Sequence, residues 1–544
     1  MRIKPLLLTL LALFPIVLNA QKIENGVLVD ASGAPENYQI PEGVKEIAPR
    51  VFMMSSIKSV TIPASMEVIH ECAFNMAPSL ESVTFAPNSK LRIIADQAFE
   101  DCPMLKEIKL PNSLDSLGRS AFALCENLKI VTLPANLKKI SMGAFSTCPS
   151  LLRIDFPAGI EEIGEFAFAN CKSISSITLN GVKVVGTKAF YNCKVLSNVT
   201  LGEGLVELKD SVFERCEAIE ELTIPASMQK SGTKLFFRCP YFKGFKVAAN
   251  SPYMMAENGV LYSKNKDILY ECPQQYSTDM FVVPSETKKI YPMAFYECKN
   301  VKGIKLPATI EKLGMGALAN NGIAKFDFAG NASFPVYEGC IYYKTKDGLV
   351  FMAAPTMSES TKFTLLAETK FIANCAFAFN QNVADVYIPE SCLGLGDMAF
   401  YSCKGLKNIY SYAVNAPQLG EGTFGEVVLP NVKLHVKKEA YTSYTNNNWI
   451  FPFGSDITEP YPTTPNGIPG VATNGKDIKV TRLGNNVSIS ANGNIELVEA
   501  YAPNGAKVSE KKLNSNEKII TLPTQGIYVV KVKLENGNKK VVKL

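Results

Sequence analysis

The chain has 544 residues, of which 47% are hydrophobic and 20% are charged, and its formal net charge is +5. This length and hydrophobic content allow a large buried core. The near balance of charge gives no support for nucleic acid or an anionic membrane surface as a partner.

The first twenty residues have the pattern of a secretory signal. Arg2 and Lys4 precede an apolar run from Leu6 to Leu18, and a small residue, Ala20, follows. This run is too short to span a membrane. We therefore predict a signal peptide over residues 1–20. Because Gln21 rather than cysteine follows, we expect no lipid anchor at the new terminus and export of the mature chain as a soluble body.

A short phrase, Ala-Phe-x-x-Cys, repeats seven times between residues 98 and 239 with small changes in its first position. Successive phenylalanines are 22 or 23 residues apart. A period of this size with its own apolar pattern indicates a solenoid, in which each coil buries its inner face against its neighbours. In this arrangement the phenylalanine is expected to fill the layer between coils.

Each repeat also contains an apolar alternation, such as Ile108-x-Leu110, followed by Pro111 and closed by Gly118. The alternation predicts a short strand with one face inward. Stacked coils would place these strands in a parallel sheet about 4.8 Å apart. The outward residues would then form a continuous polar row, which is the candidate binding row: Lys109, Thr132, Asp155, Thr178, Thr200 and Thr223.

A second module occurs three times, beginning at Glu24, Glu257 and Glu338. In the later copies a turn leads to another apolar segment, which predicts a β-hairpin. These insertions, near residues 240–290 and 324–370, stretch the interval between repeat positions to 59 residues each time. We expect them at one edge of the solenoid, where they can widen a contact surface or serve a purely structural role.

The repeat resembles the BspA-like subfamily of leucine-rich repeat proteins over roughly residues 40–455. Asn321 and Asn380 stand where other coils have cysteine, an exchange that leucine-rich repeats accept. The resemblance implies a β-rich solenoid of short parallel strands and short helical turns, with the array and its end cap spanning residues 21–455. The apolar stretch from Val432 to Phe453, which includes Trp449, is expected to close the open end.

The C-terminal part has a different pattern. Proline and glycine are frequent over residues 456–475, which predicts a linker. Short alternating segments over residues 476–544 predict an immunoglobulin-like β-sandwich. The phrases Tyr501-Ala502-Pro503-Asn504-Gly505 and Lys540-Val541-Val542-Lys543-Leu544 resemble the sorting domain of the type IX secretion system, which implies the type IX export machinery as a partner. An ordinary immunoglobulin-like appendage is the alternative.

The chain has 14 cysteines. Parallel neighbours at one ladder position would be about 4.8 Å apart, beyond the usual Cβ separation of about 3.5–4.5 Å in a disulfide. We therefore predict buried free thiols at this position. A pair among Cys272, Cys340 and Cys392 stays open. The ladder residues are Cys102, Cys125, Cys148, Cys171, Cys193, Cys216, Cys239, Cys298 and Cys403.

No catalytic or metal-binding set is apparent. The two histidines, His70 and His435, lie at opposite ends of the array, and no C-x-x-C motif occurs. We therefore expect a protein without catalytic activity, cofactor or metal.

The leading hypothesis is a surface protein, extracellular or on the outer membrane of a Gram-negative bacterium, whose array binds a protein ligand. The resemblance to BspA-like proteins implies adhesion to host extracellular or bacterial surface proteins. One alternative is a glycan- or nutrient-binding module with aromatic platforms on the hairpins, for which Tyr253, Tyr262, Tyr342 and Tyr343 are available. A purely structural envelope component is the other alternative.

Overall fold

The computed structural model describes residues 21–328, 330–453, 457–458, 478–483, 486–501, 507–522, 529–534 and 539–543. The predicted signal peptide, residues 1–20, and most of the predicted linker lie outside the described residues. The chain divides into two compact units, Met1–Glu459 and Pro460–Leu544. This division falls inside the segment for which a linker is predicted.

The first unit contains two columns of strands. The strands that come before the proline turn are here called A-strands. Each pairs in parallel with the corresponding strand of the neighbouring coil, so that Val131 lies beside Ile108 and Ile154. Their inward residues are buried because apolar and polar residues alternate. The A-strands are Asn37–Gln39, Ser59–Ile62, Ser82–Phe85, Glu107–Lys109, Ile130–Thr132, Arg153–Asp155, Ser176–Leu179, Asn198–Leu201, Glu221–Ile224, Gly244–Val247, Phe281–Val282, Gly303–Leu306, Lys325–Phe328, Lys362–Thr364, Asp385–Ile388, Asn408–Ser411, Lys433–Val436 and Ile457–Thr458.

A second column follows the proline turn, and its members are called B-strands. Most have only two residues, such as Ser116–Leu117, and they also pair in parallel. The sequence pattern predicts no strand here, since a two-residue element shows no alternation. The B-strands are Val27–Asp30, Glu46–Ile47, Val68–Ile69, Ile93–Ile94, Ser116–Leu117, Lys139–Ile140, Glu162–Ile163, Val184–Val185, Glu207–Leu208, Lys230–Ser231, Ile268–Glu271, Lys289–Ile290, Lys312–Leu313, Gly348–Ala353, Thr369–Ile372, Gly394–Leu395 and Gln418–Leu419.

The segment that contains Ala-Phe-x-x-Cys closes each coil and is called the phenylalanine turn. It is not helical, so the expected short helical turns are wrong for these segments. Two residues in most turns adopt a left-handed backbone, for example Ser120 at φ 51° and Leu124 at φ 61°. Such a backbone is costly for a residue with a Cβ atom and interrupts a helix. It is compensated here because amides bond to the next coil, as when the Phe99 amide donates to the Ala121 carbonyl at 2.8 Å.

The phenylalanines stack as the period predicted. From Phe52 to Phe236 successive ring centroids are 4.6–5.8 Å apart and the ring planes differ by 2–18°. A shorter file runs from Phe351 to Phe424. The rings are buried, and such contacts add to the free energy of folding beyond the area they bury.

All fourteen cysteines are free thiols, and the nine at the ladder position are buried. In eight of these coils the thiol donates to the phenylalanine carbonyl of the preceding coil at 3.0–3.3 Å. Cys298 instead donates to the Cys272 carbonyl at 3.4 Å. Asn380 fills the same role with its side-chain amide, which donates to the Pro355 carbonyl at 3.0 Å. The exchange at Asn380 therefore preserves a hydrogen bond along the stack, whereas at Asn321 the side-chain amide nitrogen is buried without a hydrogen-bond partner among the described residues.

The hairpins divide the B-strand column into three blocks. Each block starts with a hairpin whose last strand, Val27–Asp30, Ile268–Glu271 or Gly348–Ala353, continues as a B-strand. The tight turns have two left-handed residues, such as Asn258 at φ 50° and Gly259 at φ 82°, as the hairpin geometry requires. The additional hairpin strands are Lys22–Glu24, Met254–Glu257, Val260–Ser263, Val336–Tyr337 and Cys340–Thr345.

Where the first block ends, side-chain carboxylates accept hydrogen bonds from amides that elsewhere donate to backbone carbonyls of the following coil. The amides of Leu235 and Phe236 donate to the Glu271 carboxylate at 2.9 and 3.1 Å, whereas one coil earlier the Phe213 amide donates to the Leu235 carbonyl. The Arg238 amide donates likewise to the Glu297 carboxylate at 3.2 Å. Burial raises the pKa of Glu271 to about 7, although these amides oppose the shift. We call this junction the first seam.

The C-terminal end of the array is covered by short helices and aromatic side chains. Trp449 and Tyr444 are fully buried. The Trp449 indole donates to the Pro417 carbonyl at 2.6 Å, and the Tyr444 hydroxyl donates to Ser411 Oγ at 2.6 Å. Within the described residues, helix is found only in this cap, as Leu429–Asn431, Lys438–Ala440, Tyr441–Thr445 and Ile450–Phe453.

The second unit contains one described antiparallel sheet. Its long strand Asn486–Tyr501 pairs with Lys507–Thr521 on one edge and with Ile478–Leu483 and Val529–Leu534 on the other, and Lys539–Lys543 pairs with Val529–Leu534. Val487, Ile489, Val530 and other apolar residues form its core. The described strands do not include a second sheet, so the immunoglobulin-like sandwich stays a prediction.

The phenylalanine file provides a direct test of stability. Phe145 is fully buried between Phe122 and Phe168, at centroid distances of 5.7 and 5.5 Å. We expect Phe145→Ala to lower the free energy of unfolding by roughly 3–5 kcal/mol because it leaves a cavity between two coils. Urea denaturation would measure this. Leu152→Ala, at a residue that is 55% exposed, should change it by less than about 0.5 kcal/mol; equal effects would contradict the packing role.

The first seam should make stability depend on pH. Because the pKa of Glu271 rises from an ordinary 4.5 to about 7 on folding, its favourable contribution is present below pH 4.5 and is lost as the pH rises through 7. The loss should be about 3 kcal/mol. We expect Glu271→Gln to reduce the difference in unfolding free energy between about pH 5 and about pH 8 by this amount. Glu126→Gln, at an exposed residue, is the matched control and should retain the full difference.

Candidate binding surface

The outward side chains of the A-strands form a single face along the array, here called the A-face. All six residues of the candidate binding row are exposed. Lys109, Thr132 and Asp155 are register neighbours on adjacent strands, and Thr178 lies beside Thr200. Thr223 pairs in register with Lys246 of the following strand. Parallel pairing thus places the predicted residues in register within these groups, while their role in binding stays a prediction.

The face carries charges of both signs. Arg153 and Asp155 form an ion pair at 3.0 Å, and Lys305 lies 3.8 Å from Asp327. Exposed pairs of this kind contribute little to stability, at most about 1 kcal/mol. They set a mixed, nearly neutral electrostatic pattern on the surface rather than a strong field of one sign.

In the third block the same row becomes aromatic. Tyr387 stacks on Tyr410 at 4.5 Å, and Tyr410 stacks on His435 at 4.4 Å. The Lys362 ammonium lies 4.6 Å from the centre of the Tyr387 ring. His435 Nε2 hydrogen bonds to Asn408 Oδ1 at 3.0 Å, and burial lowers the pKa of this histidine.

Sequence reasoning missed this aromatic part of the row. The signal was present, because Tyr387 lies between Val386 and Ile388 in the same alternation that marks the other A-strands. Extending the alternation through the third block would have found it. The row position therefore changes along the array from exposed threonines and charges to stacked rings, of which Tyr387 is buried and Tyr410 and His435 are half-buried.

The proposed aromatic platform on the hairpins is wrong in part. Tyr262 and Tyr342 are buried in the core, where Tyr342 packs edge-on against Phe351 at 5.2 Å. Only Tyr253 and Tyr343, at 44% and 37% exposure, reach the surface. Tyr262 lies in a strand that is buried along its whole length, and Tyr342 lies in the buried first half of its strand.

The histidine and cysteine side chains of the array contact neighbouring coils. His70 Nε2 lies 2.8 Å from the Glu46 carboxylate on the neighbouring B-strand. Burial raises the pKa of ladder thiols such as Cys125 well above the usual range, which disfavours the nucleophilic thiolate. Within the described parts of the chain, no three His, Cys, Asp or Glu side chains group as metal ligands.

The model of the BspA-type leucine-rich repeat region matches residues 22–151, 116–243, 261–345 and 356–448, which is more than half of the chain. The chain belongs to this family. The matched segments reach into all three blocks and leave out residues 244–260 and 346–355, which contain parts of the second and third hairpins.

Solved structures of similar proteins include a leucine-rich cell surface protein from Faecalibacterium prausnitzii, at 21% identity and a TM-score of 0.43, with coverage of 72% of this chain and 92% of that one. A leucine-rich repeat protein from Bacteroides ovatus has 21% identity, a TM-score of 0.37 and coverage of 69% and 88%. The pneumococcal vaccine antigen PcpA has 16% identity, a TM-score of 0.33 and coverage of 78% and 92%.

A search of curated proteins gave no significant match. Among the residues of this BspA-type chain that the structure describes, none of the helices combines the length and apolar character needed to cross a bilayer.

Proposed function

We propose that this chain is an exported surface protein of a Gram-negative bacterium and that its A-face binds another protein. The observation that carries the proposal is the set of exposed residues from Lys109 to Thr223 on successive A-strands. Parallel pairing holds Lys109, Thr132 and Asp155 in register, and likewise Thr178 and Thr200. A protein interface of standard size takes about 800 Å² from each partner. A succession of short parallel sheets with outward side chains suits a contact of that size.

The side-chain types in the row favour a role in binding over a role as a surface that contacts only water. Threonines such as Thr178, Thr200 and Thr223 lose little side-chain entropy when a partner covers them, in contrast with long charged side chains. The backbone beneath them is fixed by the stacked coils, so the surface is organised before the partner arrives. Preorganisation of this kind lowers the free-energy cost of association.

The resemblance to BspA-like proteins supports adhesion as the biological setting, because those relatives are implicated in attachment to host extracellular proteins and other bacteria. A role without catalysis is part of the proposal. It is supported by the buried thiols and by the separate positions of the two histidines, since His70 directly follows the B-strand Val68–Ile69 and His435 lies on an A-strand.

Binding through the A-face can be tested with neighbouring arginines. We expect Thr178→Arg with Thr200→Arg to reduce retention of the chain on immobilised human serum proteins at least tenfold, because two long cations would disrupt a closely packed contact. Surface plasmon resonance would measure it. The matched control is Ile93→Arg with Ser116→Arg, two exposed register neighbours on the B-strands.

Equal loss in both double variants would contradict binding at the A-face. Absence of retention for the unaltered chain on both serum proteins and bacterial surface proteins would overturn the proposal and favour a structural envelope component.

We also propose that residues 476–544 act as a type IX sorting domain. The described antiparallel sheet and the terminal Lys540-Val541-Val542-Lys543-Leu544 phrase support this role. We expect deletion of residues 474–544 to keep the product inside the outer membrane. Fractionation and surface proteolysis in the native host would locate it. Deletion of residues 460–473 alone is the control, and unchanged surface display of the longer deletion would rule out a sorting role.

A further inference from the structure

A groove lies at the first seam, between the B-strand edge of the first block and that of the second. Its volume is about 560 Å³. One wall includes Thr187, Lys209 and Asp210, and the other includes Lys289, Tyr291 and Lys312. We call it the seam groove. Its volume is within the range of about 300–1,000 Å³ found for small-molecule sites.

The two walls are close enough to interact. Burial raises the pKa of Tyr291, and the carboxylate of Asp210 on the opposite wall raises it further. This carboxylate is held in place, because Oδ1 accepts hydrogen bonds from the Thr233 amide at 2.6 Å and from the Thr233 hydroxyl at 2.9 Å. The groove therefore has a fixed acceptor group facing an aromatic ring.

Two lysines in the groove are adjacent without a countercharge. Lys289 and Lys312 are register neighbours on parallel strands, an arrangement in which like charges repel. At the same strand position elsewhere, Lys139 is paired with the Glu162 carboxylate of the next strand at 2.8 Å. In the described part of the chain, no carboxylate lies within ion-pair distance of Lys289 or Lys312. An anionic group placed between them would remove the repulsion.

The ammonium of Lys289 is also positioned. It lies 4.7 Å from the centre of the Tyr291 ring, a favourable cation–π contact. Tyr291 in turn packs edge-on against Tyr270 at 4.8 Å. This support fixes one of the two cations in advance of binding, which lowers the entropy lost when a ligand arrives.

The remaining lining, which includes a third lysine, Lys209, selects among anions. Glu207 and Asp210 accept hydrogen bonds from hydroxyl groups but repel a ligand that carries many negative charges. Thr187 can donate or accept. A ligand with one anionic group and several hydroxyls matches all of these groups, whereas a polyanion or an acidic peptide matches only the lysines.

We propose that the seam groove binds an acidic saccharide, with its carboxylate or sulfate between Lys289 and Lys312 and its hydroxyls on Asp210 and Thr187. The groove is formed by the B-strand edges and the A-face by the A-strands. This site is therefore separate from the proposed protein-binding row, and either one can fail without the other.

Calorimetric titration of the full chain tests the proposal with four probes: trigalacturonate, a monosulfated trigalactoside, neutral galactotriose and hexaglutamate. We expect at least one acidic saccharide to bind at least tenfold more tightly than galactotriose. Trigalacturonate and the sulfated sugar distinguish a carboxylate from a sulfate as the recognised group. Binding should weaken with added salt, because the contact between ammonium and anion is electrostatic.

The variant Lys289→Ala with Lys312→Ala should lose at least tenfold in affinity for the acidic saccharide, while Lys139→Ala, at the same strand position outside the groove, should keep it. Thermal unfolding of each variant identifies any that fail to fold, and the single variant Lys312→Ala then replaces the double one. Equal affinity for galactotriose, binding of hexaglutamate as tight as that of the saccharides, equal loss in Lys139→Ala, or no binding of either acidic saccharide would overturn the proposal.

Discussion

The array depends on backbone hydrogen bonds between neighbouring phenylalanine turns. These turns hold residues such as Ser120 and Leu124 in a left-handed conformation, which an isolated coil would not keep. In this conformation backbone amides point along the stack, and their hydrogen-bond acceptors are carbonyls of the next coil. Each coil therefore needs a neighbour, and the stacked rings and ladder thiols fill the space that the hydrogen bonds define.

The same requirement explains the seams and the ends. Where the first block stops, Glu271 and Glu297 accept from amides that have lost their next coil, and at the C-terminal end Trp449 and Tyr444 cover the last one. Aromatic side chains on the outside of the turns continue across the seam, with Phe237 packed 4.8 Å from Tyr296. The block structure thus gives the molecule two kinds of surface, a long A-face and a groove at the first seam.

Much of this architecture could be predicted from the sequence, because it follows from a period. The phenylalanine file, the free ladder thiols, the exposed row and the hairpins all recur at fixed spacing. Features that occur once or have no pattern could not be predicted. The two-residue B-strands show no alternation, and left-handed residues such as Leu124 have no glycine to mark them. The capping role of Glu271 and the seam groove depend on residues far apart in sequence that only the fold brings together.

Native-state hydrogen exchange measured residue by residue tests the dependence of each coil on its neighbours most directly. We expect the amides of the phenylalanine turns to be protected from exchange in three groups that match the blocks. Replacing Glu271 by alanine should lower the protection of the Leu235 and Phe236 amides. Amide protection that does not change at the block boundaries, or that is the same in the Glu271→Ala variant, would contradict the dependence of each coil on its neighbours.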